Sequence, residues 1–302
     1  MLETAAAAVP PLPRPVVFDC RDRRLTGIGR VAAETVAAWQ RSFPGDPVTC
    51  LTVGGGRYSL RAQMEWPALR RAHRNATWIW FHWDVPLVAM PQRSVVYVHD
   101  RIHAHHARWG VRMLSGWWIA HALRMAGAVV TVSEASAREL PCPATVIPNG
   151  VAPLAATWQP EGYLLTVGEP RPYKNLGMAE RVATALGLPH RHAWGVSESE
   201  LAALYAGAQV VLLPSRAEGF GLPLLEAFAV GAPVVASDIP ALRETGGGLA
   251  AHVAPDDFDG WCRAVSAAWE APGDPAPRRH WARQFTWERA AAQLRALVCS
   301  LG

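Results

Sequence analysis

Two carboxylates, Glu218 and Glu226, have seven residues between them, beginning Gly219-Phe220-Gly221-Leu222-Pro223. The apolar run Val210 to Leu213 before them reads as a strand. The two glycines free the backbone, and Pro223 stands where the first turn of a helix would begin. Amides at a helix start lack intrahelical partners and the dipole is positive there, so Gly219 to Leu222 are expected to face an anion such as a diphosphate. Glu218 lies on the loop and Glu226 within about the first turn, so the two carboxylates can flank one bound group. Spacing alone leaves a plainer reading open, in which Glu226 only complements the helix dipole and Glu218 is a solvated loop acid.

Lys174 is the only lysine in the chain; every other basic side chain is arginine. A compact ammonium on a flexible stem suits a point contact with a phosphate in a tight pocket, where a planar guanidinium needs more room. Chance is the alternative. His99, Asp100, His103, His105 and His106 form a cluster that could suggest a metal site, although metal ligands usually need a fixed face and a second shell. Gly27 and Gly29 could mark a dinucleotide loop, yet the third glycine of that fingerprint is replaced by Ala32, which makes the signal weak.

The elements that must position these groups alternate between strand-like and helix-like segments, the pattern of a parallel sheet wrapped by helices. Val16 to Asp19 reads as a strand leading through the turn Leu25 to Gly29 into a helix from about Arg30 to Arg41, in Rossmann order. Further strands are expected at 48–53, 77–81, 94–98, 128–132 and 145–147. The proline-containing stretch 151–162 reads as a linker. The same grammar then restarts: a strand at 163–167, helices at 175–186 and 198–206, a strand at 210–213, a helix at 223–229 and a closing strand at 234–236. A last helix spans 287–297 after Thr286, an expected N-cap. The expected domains are a loose tail over 1–15, a Rossmann-like domain over 16–155, a second over 156–285, and a C-terminal helix over 286–302.

The stretch around Glu218 and Glu226 resembles the signature of family 4 glycosyltransferases. Other segments are similar to the same family in the same order: GIGR (27–30), VHD (98–100), TVSE (131–134), IPNGV (147–151), VGEPRPYKNL (167–176) and ASDIPALRETGG (236–247). The resemblance spans roughly residues 16–297. It implies an α/β chain of two Rossmann-like domains facing a cleft, the GT-B fold, with the C-terminal helix packing back towards the N-terminal domain. It implies a retaining hexosyltransferase using a nucleotide-diphosphate sugar and no metal or other cofactor. Glu218 would then contact hydroxyls of the transferred sugar, Glu226 the ribose hydroxyls, and His99 would sit beside the donor sugar. Lys174 would meet the diphosphate with Gly219, Phe220, Gly221 and Leu222. Gly27, Gly29 and Arg30 would approach the donor phosphates or the acceptor. The similarity leans to mannosyltransferases, so GDP-mannose is the first donor expected.

Two departures stand out. Relatives carry an arginine near position 168 or 169, where this chain has Gly168 and Glu169; Arg171 is the nearest substitute. Relatives also carry an extra strand and helix before the segment matching Trp194-Gly195-Val196, so the base-side wall, with Trp194 and Val196, is shortened. A nucleotide-sugar epimerase or phosphorylase, or a catalytically silent binding protein on the same fold, are the alternatives.

Composition bounds these readings. At 302 residues, half hydrophobic and 18% charged, the chain is globular and long enough for two domains. Residues 1–155 hold 17 arginines against 10 acids, residues 156–302 hold 12 basic side chains against 15 acids. A basic first half suits an anionic acceptor such as a lipid-linked diphosphate, or a peripheral contact with an anionic membrane; an arginine-rich genome with solvated faces is the plain alternative. No nucleic acid is expected as a partner. Nothing in the first fifteen residues reads as a targeting signal, the longest apolar stretch, 116–132, is too short to span a bilayer, and Trp117-Trp118 within it reads as core. Five dispersed cysteines read as buried thiols in a reducing cytoplasm.

Overall fold

Eleven short parallel strands and the helices between them are present in a computed structural model, which describes residues 10–21, 27–52, 59–88, 90–102, 109–154 and 156–301. The expected tail up to residue 9, Leu25 and Thr26 of the expected turn, and His103, His105 and His106 lie outside the described residues.

The chain begins with β1 (Val16–Asp19), α1 (Gly27–Ser42), β2 (Val48–Leu51), α2 (Leu60–Ala72), β3 (Thr77–Trp80), β4 (Ser94–Tyr97), α3 (Trp109–Met125) and β5 (Ala128–Thr131). Next come α4 (Glu134–Arg138) and β6 (Thr145–Val146). The second series is β7 (Tyr163–Val167), α5 (Leu176–Leu186), β8 (His190–Ala193), α6 (Glu198–Gly207), β9 (Ala208–Leu213), α7 (Leu222–Val230) and β10 (Val234–Ser237). It continues through α8 (Pro240–Gly246), β11 (Ala251–Val253), α9 (Phe258–Glu270) and α10 (Ala276–Ala282), and α11 (Trp287–Ser300) ends the chain. The strand orders are β2-β1-β3-β4-β5-β6 and β11-β10-β9-β7-β8. Two sheets of parallel strands flanked by helices are what the alternating sequence pattern dictates.

Packing groups the chain into two compact units. The first comprises Met1–Val98, Trp118–Val130 and Glu288–Gly302, the second His99–Trp117 and Thr131–Trp287. In the first, Val16, Val17 and Phe18 are fully buried beside Trp39 of α1, and β3 contributes Trp78 and Trp80. Those two indoles stack with centroids 5.5 Å apart, and Trp66 of α2 meets them edge-on at 5.8 and 6.1 Å. The last helix packs within this unit: the Arg295 guanidinium donates to Asp46 at 2.8 and 3.0 Å in a largely buried pair. In the second unit, β7, β9 and β10 supply Leu165, Val211, Leu213, Val234 and Ala236 to a core closed on one side by Leu224, Leu225 and Phe228 of α7.

Several expectations need correction. Helix α1 starts at Gly27, three residues before Arg30, so Gly27 and Gly29 form its first turn and are not part of a loop. The strand series does not close at 236, because β11 follows, and α8, α9 and α10 stand after it. Four cysteines are half-buried and Cys299 is exposed, so none is a fully buried thiol.

Candidate functional site

The second sheet places β7 beside β9, with Leu165 opposite Val211. Their carboxyl ends therefore deliver two loops side by side, at the edge where open α/β sheets hold ligands. After β7 the chain turns at Gly168, whose φ of 125° favours a residue without a Cβ. It then enters a single 3₁₀ turn, Pro172–Lys174, before α5. Asn175 closes that turn in the left-handed region at φ 52°, and its side-chain amide donates to the Pro255 carbonyl at 3.1 Å. The Tyr173 carbonyl accepts from the Arg216 amide of the β9 loop at 2.7 Å, tying the two loops together.

These ties bring Lys174 and Glu218 into contact. Lys174 Nζ donates to Glu218 Oε1 at 2.7 Å, and Ser215 Oγ donates to the same oxygen at 2.7 Å. The two charged side chains are only 16% and 10% exposed. Burial pulls the Lys174 ammonium towards the neutral form, but the Glu218 carboxylate and its hydrogen bond, helped by Tyr173 and Asp100, raise its pKa overall. Lys174 is thus a cation at neutral pH. A pocket lined by Thr166, Val167, Lys174, Ser215, Glu218 and Pro223 opens at this point.

The Gly219 to Leu222 segment is fixed by hydroxyls from neighbouring loops. Ser133 and Ser136 donate to the Gly219 carbonyl at 2.7 and 3.1 Å, Ser136 also reaches the His99 carbonyl at 3.1 Å, and Thr245 donates to the Phe220 carbonyl at 2.6 Å. A Cβ at Gly219 would collide with the His99 carbonyl oxygen, so the glycine permits close approach of two backbones. Gly221 precedes α7 at φ 96°, with Leu242 against the place a side chain would take. The buried His99 is thereby brought to the Gly219 loop through its backbone.

Glu226 is the fifth residue of α7, in its second turn, and 3% exposed. That corrects its expected first-turn position, and the dipole reading falls with it, because the dipole acts within the first turn. Its Oε2 instead accepts from the Tyr205 hydroxyl at 2.7 Å, and Tyr205 is fully buried on α6.

The remaining expected residues are more dispersed. Arg171 is half exposed and pairs with Glu169 at 2.6 Å. Trp194 follows β8 and is 56% exposed; Val196 is half-buried against the core. Gly27, Gly29 and Arg30 lie in the first unit, in the first turn of α1. Among the described residues, no group of three His, Cys, Asp or Glu side chains is arranged to hold a metal ion.

Sequence reasoning missed Tyr205, Ser215 and Glu244. The Glu244 carboxylate accepts from the amides of Glu134 and Ala135 at 2.8 and 2.9 Å, anchoring the TVSE segment. Glu244 lies inside a segment that the resemblance did cover; Tyr205 carried no signal beyond an aromatic in a helix.

Comparison with known proteins fits this geometry. Residues 151–271 match the family described as group 1 glycosyl transferases. The MMP alpha-(1->4)-mannosyltransferase of Mycolicibacterium hassiacum is 36% identical over 156 residues, covering 48% of this chain and 36% of that protein. The chain thus spans about a third of the length of such curated relatives. Among solved structures, sucrose-phosphate synthase from Thermosynechococcus elongatus superposes with a TM-score of 0.73 at 16% identity, covering 94% of this chain and 98% of that one. Anabaena HepE, solved in complex with UDP and glucose, gives 0.70 at 14% identity, covering 95% and 100%. By sequence across residues 151–271 the chain is similar to group 1 glycosyl transferases, and across nearly its whole length it has the GT-B fold.

Proposed function

We propose that the protein is a retaining hexosyltransferase that moves a sugar, mannose from GDP-mannose in the first instance, from a nucleotide-diphosphate donor to a glycan or lipid-linked acceptor. The observation that carries this reading is the Lys174–Glu218–Ser215 cluster at the carboxyl ends of β7 and β9, with the Glu226–Tyr205 pair on the helix that follows. The similarity to a mannosyltransferase supports the choice of sugar.

In this reading the second unit holds the donor, and the basic first half of the chain receives an anionic acceptor. Lys174 supplies positive charge where the leaving diphosphate gains negative charge, a role that matters more as the bond breaks than before. Glu218 orients Lys174 and offers its carboxylate to sugar hydroxyls. Glu226, steadied by Tyr205, takes the ribose hydroxyls. The bond from the anomeric carbon to the phosphate oxygen breaks, the acceptor oxygen bonds that carbon on the same face, and its proton passes to a donor phosphate oxygen. The reaction is balanced without a covalent enzyme intermediate or a metal.

Thermal denaturation against a panel of nucleotides and nucleotide sugars tests the donor half, since a bound ligand stabilises by mass action. GDP and GDP-mannose are expected to raise the melting temperature most. Radiolabelled transfer to a lipid-linked and glycan acceptor panel, with and without EDTA, tests the rest; equal rates are expected. Stabilisation by no nucleotide would reject the donor reading, and loss of transfer in EDTA restored by Mg²⁺ would reject the metal-free one.

A further inference from the structure

Helix α3 is apolar on both its buried and its exposed face, unlike a surface helix in water. Its inward stripe is Ser115, Trp118, Ile119 and Ala122, all buried, and it is pinned by Trp118 Nε1 donating to the Val85 carbonyl at 3.0 Å. His121 Nε2 lies 3.0 Å from the Pro86 carbonyl on the same segment. The opposite stripe should be polar. Instead it runs Trp109, Met113, Trp117, Ala120, Arg124, spaced at four, four, three and four residues, with Trp109 78%, Met113 61% and Trp117 52% exposed. Leu114 beside this stripe is 51% exposed. A run of exposed large apolar side chains marks an interaction surface rather than a solvated face.

The charge around it has one sign. From Arg101 to Ser133 the sequence contains no Asp or Glu, while Arg112 and Arg124 stand exposed on the helix itself. We infer that α3 is an interfacial helix that lies on an anionic phospholipid bilayer, Trp109, Met113 and Trp117 entering the headgroup–acyl boundary and Arg112 and Arg124 meeting lipid phosphates. Tryptophan prefers that boundary because one edge is apolar and the other donates a hydrogen bond. At 17 residues the helix is shorter than the roughly 20 needed to cross a bilayer, and no described helix is long and apolar enough to do so. It therefore lies on the surface.

A second copy of the chain fits the face less well. One side of such a helix offers on the order of 250 Å², from about 1.5 Å of rise per residue and a width of about 10 Å, against about 800 Å² per partner in a standard interface. Two copies would also bring their arginines together with no acid from this segment between them.

The inference is independent of the transfer reaction and is tested on the whole protein without a donor. Flotation is measured with vesicles of phosphatidylcholine alone and of equal parts phosphatidylcholine and phosphatidylglycerol, at low and raised salt. The wild type is expected to float with the anionic vesicles, to stay behind with the neutral ones, and to release as salt rises. Met113→Glu combined with Trp117→Glu should weaken binding at least about tenfold, and Arg112→Ser with Arg124→Ser should do so by a similar factor, since each surface cation contributes about a factor of five. Circular dichroism checks that these outward substitutions leave the fold intact, and light scattering follows the oligomeric state. The inference is overturned if the wild type ignores anionic vesicles at low salt, if it binds both vesicle types equally, if the glutamate variant floats like the wild type, or if the wild type is a dimer that this variant dissociates.

Discussion

Lys174 and Glu218 are coupled, so neither can be changed alone. Lys174→Ala leaves a largely buried carboxylate with Ser215 Oγ as its remaining partner in the cluster and removes the charge proposed for the leaving diphosphate. Turnover should fall roughly 10²–10³-fold, the scale for one preorganised charge-stabilising group. Lys174→Arg should recover part of that, because the guanidinium keeps the charge but not the compact head. Initial rates at saturating donor decide it, and near-wild-type turnover in Lys174→Ala would remove this residue from the mechanism. Tyr205 and Glu226 should behave differently, since they pair with each other and touch neither Lys174 nor Glu218 in the contacts described. Glu226→Ala should weaken binding of the free nucleoside diphosphate by on the order of 1–3 kcal/mol, and Tyr205→Phe by about 1 kcal/mol, with turnover at saturation preserved in the phenylalanine variant. Calorimetric titration with nucleotide checks this, and an unaltered affinity in both variants would separate Glu226 from the ribose. Lys174 was legible from composition, as the single lysine of the chain, whereas the two glutamates were singled out only when the family resemblance was added to their spacing. Tyr205 was not, because a tyrosine in an Ala-rich helix reads as core until the structure shows where its hydroxyl goes.

Strand β8 has a design that its sequence concealed. His-Arg-His-Ala carries no branched aliphatic residue, so it does not read as a strand. It is one because it lies at the edge of the sheet, paired with β7 alone. His190 Nε2 and His192 Nδ1 both lie 3.0 Å from Thr166 Oγ1, so the threonine hydroxyl of β7 bridges two rings of the neighbouring strand β8. Burial lowers the His190 pKa below its usual 6.5, reinforced by His192 and opposed by Glu180. A folded pKa below the unfolded one means that the unfolded chain takes up the proton first. The stabilisation is therefore complete above about pH 6.5 and is lost as pH falls through the lower folded value. Urea midpoints should drop between neutral and mildly acid pH in the wild type and less steeply in His190→Gln. Parallel pH profiles for the two proteins would show that the ring does not contribute. Boundaries elsewhere shifted for similar local reasons: α1 reached back to Gly27 because glycines can be helical, and β11 escaped notice because Ala-His-Val is three residues long.

At the scale of the molecule, the repeated strand–helix grammar made the α/β class and its two sheets readable, since periodicity reports what is buried. Packing across long sequence separations was less readable. The return of the last helix to the first unit rests on Arg295 meeting Asp46, 249 residues away, and only the family resemblance pointed to it. The outward apolar stripe of α3 was also hidden, because an apolar run reads as core when the direction of each side chain is unknown. The tryptophan trio of the first unit has an optical consequence. Trp78 and Trp80 stack at an interplanar angle of 13° with Trp66 set across both at 72–76°. Transition dipoles held at such separations mix, so the native first unit should carry an exciton couplet in its circular dichroism. That couplet depends on two neighbouring strand residues and one helix residue keeping their mutual orientation, and it vanishes when they come apart. It gives the first unit its own unfolding signal, readable in the intact chain alongside the shift in melting that nucleotide is proposed to cause in the second.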